Sequence, residues 1–422
     1  MNAGRILLIT ILWLICFVFL PLKIGAPDNP VQPSGPDAFM RLERVDILLQ
    51  TGRWYDGHVP RAAAGQGADI HWTRPLDVLI IALAAPLFPF MDQHEAVELA
   101  GVVMPPLMSL VLVFLCIWAV RPLMRETSSL MVVVLLAVHP SIQGYFGLGR
   151  TDHHALLAVL AAAVLGLLIR LMHPGSLRHP ALLAGALSGL GIWISQEFLI
   201  IYVPVVAALG ACWLLWGVRW RQANLDFAIG CLTLCLVGIA VDVSPGDWFL
   251  PRYDRISIAQ IFMVSCPLVF WLIVSRMAER LSRPAIRLGF AAGYGVFCLG
   301  ALRLTYPGLF IGPIAEADPR LGPIWYDQVK EMLPLWVSPR QVILYCLLPF
   351  SGFLYGLLVL TGRIKAPDRE MWLWLVLALL GTGALALAHR RAALYLGVAG
   401  VIAAAPLIEY LLDRIQIKFS GW

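Results

Sequence analysis

The stretch GRTDHHALLAVLAAAVLGLLIRL, residues 149–171, decides how the chain is read. Its polar head carries an Asp-His-His triplet. From Ala155 the residues turn apolar over nearly the ~20 positions that an α-helix needs to cross a hydrocarbon core. In extended backbone, residues two apart project to the same side, so Asp152 and His154 can reach one ion while His153 points elsewhere. A carboxylate with an imidazole suits Mn²⁺ or a similar divalent ion. The plainer reading is that Thr151 or Asp152 caps the helix that follows, since the first turn favours an acidic or polar residue.

Outward from this stretch, similar apolar runs recur from end to end. Of the 422 residues, 60% are hydrophobic and only 14% charged, and the mean hydropathy is +0.80. That balance excludes an ordinary soluble domain and implies one lipid-solvated unit, residues 1–422, with an all-α polytopic fold. Spans are expected near 5–22, 98–120, 129–146, 155–172, 181–196, 199–217, 227–243, 256–275, 287–304, 341–361, 371–388 and 392–412, roughly twelve or thirteen in all. The first run lacks a small-residue cleavage site and reads as an uncleaved span. All eight cysteines fall inside apolar runs without a C-x-x-C pair, so neither a disulfide framework nor a thiolate metal site is expected. The net charge of +5 comes from basic residues scattered through short loops, which argues against nucleic acid and for contact with membrane lipids.

With the N-terminus inside, the loops bearing Arg121/Arg125, Arg170/Arg178, Arg219/Arg221, Arg276 to Arg287, Arg363 to Arg369 and Arg414/Lys418 share one side, which the positive-inside rule makes cytoplasmic. This orientation requires Val78 to Phe90, short and interrupted by Pro86 and Pro89, to be a re-entrant or surface element inside a long outer loop, residues 23–97. Within that loop Phe39, Leu42, Val45 and Leu49 recur at helical spacing, as expected for an amphipathic helix along the membrane surface. The Asp-His-His loop (147–154) and a long loop (305–340) lie on the same outer side, and long loops in compact proteins tend to be functional.

Several outer residues can carry chemistry. Asp37 follows Gly35-Pro36 and either caps its helix or faces Asp152. Glu316, framed by Gly312, Pro313 and Pro319, suits a segment that reorders around a ligand, or is a solvated loop charge. Arg390 and Arg391 run against the charge bias; they hold an anion in a fixed fork or snorkel to headgroups. Glu197 lies between two apolar runs, where an acidic group is costly unless it works or sits at a surface turn.

Taken together, GRTDHH, the aspartate in GPDAF, PIAEADP and HRRAALYL resemble the catalytic subunit of oligosaccharyltransferase, a GT-C-type membrane glycosyltransferase family. The resemblance runs over most of the chain. It implies Asp37, Asp152 and His154 as ligands of a divalent metal, Mn²⁺ or Mg²⁺, with Asp37 also contacting the acceptor. It likewise implies Glu316 as the glutamate of a mobile loop, and Arg391 with Tyr395, and Arg390 beside them, as binders of the carrier phosphates. Glu197 and His153 are expected to be accessory or acceptor-side groups. The family continues into a soluble domain bearing WWDYG that recognises its acceptor sequon; no such motif occurs here, so a partner is expected to supply acceptor recognition.

The implied activity is transfer of a sugar or oligosaccharide from a polyprenyl phosphate or diphosphate to a protein, glycan or lipid acceptor. Transfer would occur with inversion at the outer face of a bacterial inner or archaeal plasma membrane. A monosaccharide transferase acting on lipid A or another envelope glycan is the alternative enzyme. A transporter or flippase is less well matched, because such proteins place ionisable groups near the midplane of repeated halves. A purely structural role would leave the Asp, His and Arg residues unexplained.

Overall fold

The computed structural model describes residues 2–25, 32–125, 128–173, 177–311, 318–324, 326–365 and 369–420. Helix dominates, as the continuous apolar runs require, because an α-helix satisfies every backbone donor and acceptor within one segment. In chain order the main helices are α1 (Ala3–Lys23), α2 (Pro36–Thr51), α3 (Arg74–Ala84), α4 (Gln93–Val120) and α5 (Ser129–Val138). Next come α6 (Pro140–Tyr145), α7 (His153–Leu171), α8 (Pro180–Ile194), α9 (Leu199–Trp216) and α10 (Arg221–Asp242). The last are α11 (Ile258–Arg276), α12 (Pro284–Thr305), α13 (Pro339–Leu360), α14 (Arg369–Ala388) and α15 (Ala393–Ser420). A two-residue hairpin pairs β1 (His58–Val59) with β2 (Ala68–Asp69).

Nine helical runs among the described residues are long and apolar enough to cross a membrane, and one of them, Gln196–Asp242, contains both α9 and α10. With the shorter apolar α5 and α8, these account for the spans expected from sequence. The chain is therefore a multi-pass membrane protein. The expected span 129–146 is broken: Pro140 at the first position of α6 stops α5 at His139, whose backbone is extended.

Two helices form the centre. On α7 nearly every residue from His154 to Arg170 is buried, and on α15 so is every residue from Ala393 to Ala405. Small residues let neighbours approach: a Cβ on Gly185 would come within 2.0 Å of the Phe227 carbonyl oxygen, and one on Gly230 within 2.1 Å of that of Leu182, so α8 and α10 are in backbone contact.

The segment between α1 and α4 forms a small folded unit with the start of α4. Leu42, Val45, Leu76, Ile80, Val97 and Met104 make an apolar core between α2, α3 and α4. The apolar face of α2 thus packs on protein, and Phe39 stays 55% exposed. Under this core Asp77, fully buried, pairs with Arg41 at 3.0 Å, Arg44 at 2.9 Å and Arg74 at 3.1 Å. Val78 to Ala84 belongs to α3 and ends in a 3-10 turn, Ala85–Leu87, against α4.

Candidate active site

The site is assembled where α7 and α15 begin. Asp152 is the N-cap of α7: its Oδ1 accepts a hydrogen bond of 2.6 Å from the His153 amide. Its Oδ2 lies 3.2 Å from His154 Nε2, and its Oδ1 lies 2.7 Å from His153 Nδ1. Capping and clustering therefore coexist. One ligand atom each from Asp152, His153 and His154 fall within 4.8 Å of one another, close enough to share an ion. His153 does not point away as the extended-backbone reading expects, because helical geometry begins at that residue and swings its ring back over Asp152. Its Nδ1 is buried and finds no hydrogen bond of acceptable geometry.

Gly149 sets the approach to this turn. Its φ of +75° is left-handed, and a Cβ there would lie 2.3 Å from the Gln32 carbonyl oxygen. Ser34 donates to the Gly149 carbonyl at 2.8 Å, tying the segment before Asp37 to the Asp-His-His turn. Asp37 sits in the first turn of α2 behind Pro36, whereas Gly35 occupies the cap position. Its side chain is thus not the cap, and it lies near enough to Asp152, His153, His154 and Glu331 to feel their charges. Partial loss of solvent, then the negative charges of Asp152 and Glu331, push its carboxyl above the usual carboxylate range, against the opposing pull of His154 and His153. For Asp152 burial works the same way, but His154 and His153 overcome it and hold the carboxyl well below its usual range.

Glu197, in a 3-10 turn (Gln196–Phe198), is the hub behind the cluster. Its Oε1 is 3.1 Å from His154 Nδ1 and accepts 2.5 Å from the Tyr395 hydroxyl. Its Oε2 is 3.4 Å from Arg391 Nη1. A carboxylate on one ring nitrogen fixes the imidazole so that the other nitrogen faces Asp152. Arg391 thus stands beside the cluster, as the order of motifs in the sequence implies, and its Nε also reaches Glu331 Oε2 at 3.4 Å.

Glu331 is the functional candidate that the sequence reading misses. It pairs with Arg150 and lies 3.9 Å from His154 Nε2. Its backbone carbonyl accepts 3.0 Å from the Arg391 amide, and that of Leu333 accepts 2.9 Å from Arg390. Glu316 lies outside the described residues. Among those residues Arg390 enters no ion pair, and its buried Nε finds no hydrogen bond. A cavity of about 320 Å³ opens beside the cluster, lined by Trp72, His153, Glu197, Asp254, His389 and Arg391. Trp72 is held flat by the Arg41 guanidinium, 4.1 Å above its ring.

No family model and no curated protein matches the chain. Among solved structures it is similar to the archaeal oligosaccharyltransferase AglB from Archaeoglobus fulgidus in complex with an inhibitory peptide and a dolichol-phosphate. The TM-score is 0.77 over 99% of this chain and 51% of that one, at 13% identity. The apo form of the Archaeoglobus fulgidus oligosaccharyltransferase gives 0.72 over 98% of this chain and 51% of that one, at 14% identity. Its complex with Zn and sulfate gives 0.67 over 97% and 49%, at 15% identity. The chain spans about half the length of these structures. At such low identity the likeness establishes the fold, a GT-C-type transmembrane bundle, and bears out the resemblance read from the motifs at that level.

Proposed function

We propose that the chain is a membrane glycosyltransferase that moves a sugar or oligosaccharide from a polyprenyl phosphate or diphosphate to an acceptor, with inversion, on the extracytoplasmic side. The observation that carries the reading is the meeting of Asp37, Asp152 to His154, Glu197, Arg391 and Tyr395 at one end of a bundle with the oligosaccharyltransferase fold. That the compared structures hold a dolichol-phosphate, a peptide, Zn and sulfate supports the donor, acceptor and metal classes.

The residues fit a divalent ion. Asp152, His153 and His154 offer one carboxylate and two imidazoles, with one ligand atom from each within 4.8 Å of the others. When bound there, such an ion supplies Lewis-acid stabilisation of the departing phosphate oxygen.

The chain's own groups do the rest. Arg391 and Arg150 supply fixed positive charge for the carrier phosphates. Both are paired to Glu331 here, so the donor must displace that carboxylate. Glu197 holds His154 and Tyr395 in place and keeps Arg391 oriented. Asp37, with its affinity for protons raised, takes the proton from the acceptor nucleophile as that atom attacks the anomeric carbon and the phosphate leaves from the opposite face. A single displacement of this kind inverts the anomeric centre. Glu316, by resemblance, and Glu331, by contact, are the carboxylates of the 305–340 loop that complete the site.

The decisive experiment supplies the purified chain with a labelled polyprenyl-linked sugar and crude envelope acceptors, with and without Mn²⁺. Transfer of label that needs the metal is expected. Label that stays on the lipid under every condition would remove the transferase reading.

A further inference from the structure

A second cavity, of about 710 Å³, lies at the end of the bundle opposite the candidate site. Helix α7 runs to it from His153 at the site and ends at Leu171 in its wall, roughly 28 Å away at ~1.5 Å rise per residue. The apolar wall includes Trp216 at the end of α9, Trp220, and Leu360 at the end of α13. The polar side is Arg219, Arg369 and Glu370, the last two opening α14.

These polar groups are not equivalent. Glu370 is engaged: it pairs with Arg219 and accepts 3.0 Å from the Trp220 indole N–H, which holds that ring in the wall. Arg369 enters no ion pair among the described residues. Its Nη2 lies 2.7 Å from where a Cβ on Gly362 would stand, and Gly362 has a φ of +76°. A glycine in a left-handed turn therefore makes the place where this guanidinium rests. Among the described residues that line it, two cationic groups stand against one anionic group. Leu215, 58% exposed, and Val218, 51% exposed, are the chain neighbours of the lining residues Trp216 and Arg219.

We propose that this cavity binds the headgroup of an anionic phospholipid from the leaflet at that end. Its phosphate would meet Arg369 and its acyl chain would run out over Trp216 and Leu360. Single Arg and Trp residues at a membrane boundary are ordinary. Here two indoles, an aliphatic wall and a seated guanidinium with no ion pair among the described residues line one volume, and that charge favours an anion. The proposal does not depend on the chemistry assigned to the other end.

The test uses the full chain in neutral detergent, titrated with phosphatidylglycerol or phosphatidylcholine and read by native mass spectrometry for retained lipid. The wild type should retain phosphatidylglycerol over phosphatidylcholine, and Arg369→Gln should lower that retention about fivefold, the usual effect of one basic residue at an anionic surface. Arg280→Gln, on an exposed turn at the same end but outside the cavity, should leave it unchanged. Equal retention of the two lipids by the wild type, or equal losses in both variants, would overturn the site. Displacement of the lipid by inorganic phosphate alone would overturn the lipid assignment in favour of a free-anion site.

Discussion

Tyr395 donates its hydroxyl hydrogen to Oε1 of Glu197 at 2.5 Å, joining residues that stand 198 apart in the chain. The same oxygen faces His154 Nδ1, so one buried carboxylate positions both a ring of the Asp-His-His cluster and the first turn of α15. Glu197→Gln removes the charge that orients His154 while keeping the shape. Mn²⁺ affinity, measured by calorimetry, should fall by about 10- to 100-fold, with a smaller fall for Tyr395→Phe. Unchanged affinity in the glutamine variant would separate Glu197 from the metal site.

Asp152 caps α7 and is the proposed ionic ligand, and two substitutions separate the two roles. Asp152→Asn keeps a side-chain oxygen for the His153 amide, so the cap survives while the ionic ligand is lost. Turnover should drop below detection in both Asp152→Asn and Asp152→Ala. Only the alanine variant should also lose about 1 kcal/mol of stability from the missing cap. Thermal melting followed by circular dichroism, run beside the transfer assay, reads both outcomes.

The pH profile tests Asp37. A base acts in its ionised form, so a carboxyl pushed upward by desolvation and by Asp152 and Glu331 places the acid limb of kcat/KM above the usual carboxylate range. Glu331→Gln removes one negative neighbour and makes ionisation of Asp37 easier. The limb should therefore move to lower pH, whatever happens to the maximal rate. A limb that stays in place, or moves upward, would show that another group titrates.

Gly149→Ala should act at a distance. The added methyl meets the Gln32 carbonyl and forces a left-handed backbone on alanine, a strain of more than about 1 kcal/mol. The segment leading to Asp37 has to shift, so transfer should fall at least tenfold while the helical content stays native. A fully active variant would mean that the tie between the two loops is dispensable.

Spans were legible because membrane crossing demands long apolar runs, and no other fold of this chain hides them from water. Asp152, His154, Arg391 and Tyr395 were legible because each belongs to a short motif next to a span end. Glu331 carried no such signal. It reaches the site only because the backbone of 331–333 docks on residues 390 and 391, a tertiary pairing that local pattern does not encode. The apolar spacing on α2 gave the helix but not its surroundings: the same stripe serves a membrane surface or a protein core, and the pairing of Arg41 and Arg44 with Asp77 on a separate helix is not written in local spacing.

Those arginines give the last prediction. Asp77 is the shared partner of Arg41, Arg44 and Arg74, and all four are buried, so Asp77→Asn removes the carboxylate that pairs with all three guanidinium groups. Removing one member of a buried ionic group costs about 3–5 kcal/mol. Loss is expected to centre on α2 and α3, because the larger apolar core of the bundle is a separate cluster that touches this one only along α4 and at Leu156 of α7. Limited proteolysis should cut the variant between residues 32 and 92 while the remaining helices stay protected, and Asp37, carried on α2, should lose its place at the site. Wild-type protease resistance in Asp77→Asn would show that the arginines are satisfied by other means.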